Sequence, residues 1–192
     1  MELTVGNIVT VPHTATKWII DEPATETSDG MMHMDCAVCA YTIESRSVPC
    51  LIPSEKSGYT VDSALLKNVA PQTSPDDLTE VFAPELGEVR VYSADGTEIT
   101  DAMYVGTGCE VRLVQDDVVF DCLTVIISGD FDGDGSIAPS DALYLLRHSI
   151  LHERYPLYEE NVDYNTDGIF DAKDAVYLLY HATKPEEYPL EN

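Results

Sequence analysis

A multi-module chain is expected: a small β module, a small α+β unit with a mainly antiparallel sheet, then an all-α region. Three observations lead there. As far as residue 127 the sequence runs in short β-prone stretches separated by Pro, Thr, Ser and Asp-Gly, the pattern of strands joined by turns. From residue 128 onward, helical runs dense in Leu, Tyr and Ala follow acidic loops. That last stretch also contains one loop-helix unit twice. The boundaries read as 1–52, 53–127 and 128–192.

In the first module the β-prone runs are "NIVTV" and "KWII", with no helical period between them. Its ordering element is "HMDCAVCAYTIESRSVPC", which carries a Cys-x-x-Cys at Cys36 and Cys39. In the second module, "QTSPDDLTEVF" predicts one short helix. Ser74 is placed to cap it, Pro75 suits the first helical position, and Asp76 and Asp77 favour the positive end of the helix dipole. Strands surround it: "EVRVYSADGTEIT" alternates apolar residues and breaks at Asp95-Gly96, a hairpin signal, and "CEVRLVQDDVVFDCLTVII" predicts a second hairpin turning at Asp116 and Asp117.

The repeat aligns "DFDGDGSIAPSDALYLLRH" from Asp130 with "DYNTDGIFDAKDAVYLLYH" from Asp163, an ungapped offset of 33 residues. Positions one, three, five and twelve of each loop carry oxygen side chains: Asp130, Asp132, Asp134 and Asp141, then Asp163, Asn165, Asp167 and Asp174. The sixth position is Gly135 or Gly168, where calcium loops turn sharply, and the seventh, Ser136 or Ile169, offers its backbone carbonyl. Asp171 occupies the ninth position of the second loop, where the first has Ala138. Such crowded carboxylates repel one another unless a cation neutralises them. Six to eight wrapping oxygens suit Ca2+ better than Mg2+, which prefers an octahedron with retained water. Two Ca2+ ions are expected. The segment before Asp130, "CLTVIISG", is β-branched, so the first unit lacks the entering helix of a full EF-hand.

Composition narrows the partners. The 192 residues carry 10 Lys and Arg against 35 Asp and Glu, a formal net charge of -25, with no basic cluster to meet phosphates or an anionic surface. Nucleic acid is not an expected partner, and no apolar run approaches the roughly 20 residues of a transmembrane helix, so no membrane insertion is expected. Met1 is followed by no signal pattern; for a secreted protein, further sequence would precede it. Each repeat helix holds five apolar residues in succession, Ala142 to Leu146 and Ala175 to Leu179, more than one buried face needs. The surplus, Tyr144, Leu146, Tyr177 and Leu179, is either buried under another part of the chain or left for a partner.

Residues 128–183 resemble a type I dockerin, through both "D-x-[DN]-x-D-G" loops, Asp at each twelfth position, the missing entering helix and the duplication. The resemblance implies an all-α dockerin-like domain with two calcium loops. It also implies a cohesin partner, and a secreted protein held at the cell surface through a cellulosome-like scaffold. In that family the cohesin contacts come from the tenth and eleventh loop positions and the adjoining helix. Those positions here are Pro139, Ser140, Leu146 and Arg147 in the first copy and Ala172, Lys173, Leu179 and Tyr180 in the second. The usual Ser-Thr pair is absent from both copies. Residues 53–127 resemble the strand-rich unit that often precedes dockerins in anaerobic gut bacteria, through "VDSALLKNVAPQTSPDDL", "VRVYSADGTEIT" and "VGTGCEVRL". Residues 11–51 are similar to a short β module of the same secreted proteins, through His13, Trp18, "PAT" at Pro23, Gly30, the Cys-x-x-Cys and "VP" near Pro49. A calcium-rigidified structural or adhesive stalk, with no cohesin partner, is the alternative.

The five cysteines leave the redox compartment open. Cys36 and Cys39 are spaced to place two thiolates on one Zn2+, with His13, His33, Cys50 or Glu26 completing a tetrahedron; a disulfide between them and two free thiols are the other readings. Cys109 and Cys122 are read either as a disulfide across neighbouring strands or as small core residues. The sequence contains no nucleophile turn, phosphate loop or zinc-protease helix, so a non-catalytic chain is expected.

Overall fold

The computed structural model describes residues 12–23, 30–100, 103–158 and 162–190. The "NIVTV" run and Glu26 lie outside the described residues. The chain divides into two compact units, Met1–Val48 and Pro49–Asn192.

The first unit is an antiparallel meander of β1 (Ile19–Glu22), β2 (Gly30–Asp35) and β3 (Thr42–Val48), in that order. Trp18, Met32 and Val48 bury one side of it, and the Arg46 guanidinium lies 4.8 Å over the Trp18 ring. The β2–β3 connection is the Cys-x-x-Cys turn.

The second unit is built on a five-stranded sheet of β4 (Thr60–Asp62), β5 (Leu65–Lys67), β6 (Glu88–Tyr92), β7 (Glu110–Gln115) and β8 (Val118–Val125), ordered β4-β5-β8-β7-β6. β5 runs parallel to β8 and the other pairs are antiparallel. Asp116 and Asp117 both take positive φ, 51° and 62°, the backbone of a two-residue turn whose twist suits a hairpin. The Asp95-Gly96 turn also forms, but its returning arm adds one isolated bridge, Tyr92 with Glu98, so β6 stays at the sheet edge. Helix α1 (Pro75–Thr79) starts as expected, with the Asp77 amide donating to the Ser74 side chain and Pro75 in the first turn. Register sets Cys122 opposite Arg112 while the Cys109 carbonyl receives the Val125 amide, so the two thiols sit on different rungs, and no S–S bond joins any of the five cysteines.

Helices α2 (Pro139–Leu151) and α3 (Ala172–Thr183) follow the two acidic loops and pack on each other through Ala142, Leu145, Ala175 and Leu178, with Val162 and Tyr164 closing the cluster. Leu145 and Leu178 are fully buried, each worth about 1.5–3 kcal/mol relative to exposure.

The expected fold class is corrected here. Among the described residues the chain is mostly β, with sheets of three and five strands and three short α-helices, and no separate all-α domain is formed. The reason is a close backbone approach that joins the first acidic loop to the segment entering β7. Thr107 donates its amide to Asp130 Oδ2 at 2.8 Å, Gln72 donates to the Gly135 carbonyl at 2.7 Å, and Val105 donates to the Thr73 carbonyl at 2.9 Å. A Cβ on Gly106 would stand 2.0 Å from the Gly133 carbonyl oxygen, so only glycine lets the segments touch. Helices and sheet are thereby fastened into the same compact unit.

Candidate metal centres

In the first loop, Asp130, Asp132 and Asp134 bring one carboxylate oxygen each within 4.8 Å of one another. Asp130 is fully buried and accepts amides from Gly133 at 2.9 Å and Gly135 at 3.2 Å besides Thr107. Burial pushes its carboxyl up to about 6, the three amides oppose that rise, and the neighbouring Asp141 adds to it. Burial raises Asp141 as well. Asp132 and Asp134 face solvent, and Asp134 Oδ1 receives the Ser136 amide at 2.8 Å.

The second loop lies nearer the surface and has a related hydrogen-bond pattern, and among the described residues it lacks the three-carboxylate cluster of the first. Asp163 accepts amides from Asp167 at 3.1 Å and Gly168 at 2.8 Å, Asn165 Oδ1 accepts from Asp167 at 2.9 Å, and Asp167 Oδ1 accepts from Ile169 at 3.0 Å. The Lys173 ammonium stands 2.9 Å from Asp167 and 3.3 Å from Asp171, and it holds the Asp167 carboxyl below its ordinary range. A positive charge therefore already stands beside loop positions five and nine. Asn165 Nδ2 is buried with no hydrogen-bond partner.

The twelfth-position carboxylates brace the loops. Asp141 accepts amides from Phe131 at 2.7 Å, Asp132 at 3.1 Å and Ala138 at 2.8 Å, tying the loop's start to the first turn of α2. Asp174 does the same through Asn165 at 3.3 Å and Asp171 at 2.8 Å. Asp171 also caps α3, its Oδ1 accepting the Lys173 amide at 2.7 Å. The side-chain donors in both loops are all oxygen, which fits a hard cation such as Ca2+, and a buried carboxylate beside a second one gains from such a charge.

All eight positions assigned to a partner, Pro139, Ser140, Leu146, Arg147, Ala172, Lys173, Leu179 and Tyr180, are exposed. Of the surplus apolar residues, Leu146 and Leu179 face solvent along with Leu143, Ile150 and Val176. Tyr144 and Tyr177 are half-buried, and their hydroxyls donate to the Pro156 and Pro189 carbonyls, each at 3.0 Å.

In the first unit the structure brings together His13, Cys36 and Cys39, whose ligand atoms lie within 4.8 Å of one another. His13 Nδ1 is 3.4 Å from Cys39 Sγ. Amide hydrogen bonds from Val38 and Cys39, followed by His13, lower the Cys36 thiol to about 6. Of the other expected ligands, His33 contacts Asp21 at 2.7 Å and Asp35 at 3.3 Å, and Cys50 belongs to the second unit.

No protein-family model, curated protein or solved structure matches this chain.

Some participants had no obvious sequence signal. Thr107, which contacts Asp130 from 23 residues away, could not be singled out, because nothing local marks a partner at that distance. The Tyr-Pro-Leu at 155–157 and again at 188–190 could have been found, since it continues the 33-residue offset. Each copy closes its helix identically: Tyr155 and Tyr188 carbonyls meet His148 and His181 Nδ1 at 2.6 and 2.7 Å, and Leu157 and Leu190 pack on the helix cluster. A cleft of about 970 Å³ also opens between the β4–β5 hairpin and the end of α3, lined by Asp62, Lys67, Tyr158 and His181 among others. Its Asp62 is ion-paired with Lys67 at 2.5 Å.

Proposed function

We propose that this chain is a calcium-dependent, non-catalytic docking piece that anchors a secreted protein to a cohesin-bearing scaffold at the cell surface. Asp130, Asp132, Asp134 and Asp141 would hold the first Ca2+ with the Ser136 carbonyl. Asp163, Asn165, Asp167, Asp171 and Asp174 would hold the second with the Ile169 carbonyl. Bound calcium supplies the positive charge that lets these carboxylates remain ionised side by side. The loops then set the first turns of α2 and α3, whose outward side chains meet the partner. The observation that carries this reading is the sorting of side chains along each helix. Ala142, Leu145, Ala175 and Leu178 are buried, whereas every position that the resemblance assigns to the cohesin is exposed.

The test is a pull-down of the full chain against a panel of cohesins, in calcium and in excess chelator. Capture in calcium alone supports the reading, and no capture by any cohesin in calcium counts against it. A second reading, a calcium-rigidified structural or adhesive stalk, is favoured by the hydrogen bond from Thr107 to Asp130, which ties the first loop to the sheet. Charged residues at Leu146 and Leu179 separate the two: loss of a partner with the fold intact supports docking, and unchanged behaviour supports the stalk.

A further inference from the structure

We propose that His13, Cys36 and Cys39 form a transition-metal site of the zinc class, separate from the calcium loops, in which these three side chains bind one ion. The donor set is one imidazole and two thiolates. Soft sulfur ligands select Zn2+ and its relatives and have little affinity for Ca2+.

The backbone shapes the trio for this. Between β2 and β3 the chain makes a tight knuckle in which the Val38 amide points at Cys36 Sγ at 3.4 Å. The turn closes by Ala40 donating to the Cys36 carbonyl at 2.9 Å and Cys36 donating to the Tyr41 carbonyl at 2.8 Å. Ala40 sits in the left-handed region at φ 54°, a conformation that costs a non-glycine residue energy and persists where the surroundings enforce it. An amide aimed at the first sulfur stabilises a thiolate there, the form a metal requires.

His13 is brought to the knuckle by its own strand contacts. Ala15 bridges Cys36, the Ala37 amide donates to the Thr14 carbonyl at 2.8 Å, and the Thr16 amide donates to the Asp35 carbonyl at 2.9 Å. The imidazole stacks on Tyr41 with ring centroids 5.1 Å apart, which fixes its plane. Nitrogen and sulfur on one tetrahedral zinc, at bond lengths of about 2.0 and 2.3 Å, stand about 3.5 Å apart. The 3.4 Å between His13 Nδ1 and Cys39 Sγ is close to that spacing without any rearrangement of the fold. Cys36 is buried while Cys39 and His13 face solvent, so the ion would reach the trio from outside.

The experiment is a titration of the full chain, reduced and saturated with calcium, with Co2+ as a spectroscopic substitute for Zn2+. One equivalent of Co2+ is expected to give a thiolate-to-cobalt charge-transfer band with tetrahedral visible bands, and Zn2+ is expected to displace it. Oxygen-only loops produce no thiolate band. Cys39→Ser should abolish the band, and His13→Ala should weaken Co2+ binding at least about tenfold. Both positions are exposed, so circular dichroism should report an unchanged fold. Cys50→Ser, Cys109→Ser and Cys122→Ser should leave the band as it is. Absence of a thiolate band in the reduced chain would overturn the proposal, as would a band that survives Cys39→Ser or undiminished affinity in His13→Ala.

Discussion

Replacing Gly106 with alanine adds a single methyl group where the structure has no room for one. Its Cβ would stand 2.0 Å from the Gly133 carbonyl oxygen, 2.4 Å from the carbonyl carbon and 2.9 Å from the Gly135 amide nitrogen. All three are backbone atoms of the first acidic loop, so the clash is relieved only by moving that loop away from Thr107. Overpacking of this kind costs about 1–3 kcal/mol, and loss of the Thr107 hydrogen bond to the buried Asp130 carboxylate adds about 1.5–3 kcal/mol, so G106A is expected to lose about 2.5–6 kcal/mol of unfolding free energy. If about 1.4 kcal/mol of this reaches the geometry of Asp130, Asp132 and Asp134, the first of the two proposed calcium ions would bind about tenfold more weakly. Urea unfolding and calcorimetric calcium titration read the two effects separately. Gly96→Ala is the control: its φ is +84° with no atom within 4 Å of the new Cβ, so it should cost about 1–2 kcal/mol in backbone strain and leave calcium binding unchanged. Wild-type stability together with wild-type calcium affinity in G106A would refute the close-approach argument.

Leu145→Ala and Leu146→Asp should separate core from surface on neighbouring positions of α2. Leu145, fully buried, should cost about 2–5 kcal/mol by thermal unfolding, while Leu146→Asp should leave the unfolding midpoint near wild type and, if the docking proposal holds, abolish cohesin capture. Excess chelator should lower the helical circular dichroism signal of the full chain and leave its β signal, because carboxylate repulsion acts on the two loops; an unchanged spectrum would count against calcium ordering. His33 should titrate above its ordinary 6.5, chiefly because it hydrogen-bonds Asp21, and Asp21→Asn should bring the NMR midpoint down. Since the folded value is the raised one, its contribution to stability is complete below the unfolded value and is lost as pH rises through the folded one. A His33 midpoint that ignores Asp21→Asn would remove that pairing from the account.

Signals within a few residues of each other were legible. Ser74 and Pro75 mark the start of α1 because a cap hydroxyl and a ring-fixed φ act within one turn. The Asp116-Asp117 reversal was readable from alternation on either side of two polar residues. The β4–β5 hairpin was not, because its turn places Ser63 and Ala64 at φ 52° and 64°, and neither residue announces the left-handed region as glycine would. The dissolution of the expected all-α domain has the same origin: Gly106 and Gly133 stand in the sequence as ordinary loop glycines, and nothing about either names the other as its neighbour.

The order of donors along the two acidic loops, the 33-residue duplication and the five-residue apolar runs are fixed by the chain's covalent order, since each depends on contacts inside one turn or one helix. Folding made the long-range choices. It buried Leu145 and Leu178 while leaving Leu146 and Leu179 outward, set Thr107 against Asp130, and carried His13 to Cys39 across 26 residues. Each of these is a contact between segments whose separate patterns are satisfied by many partners, and the one adopted is set by the packing and backbone hydrogen bonds of the whole unit.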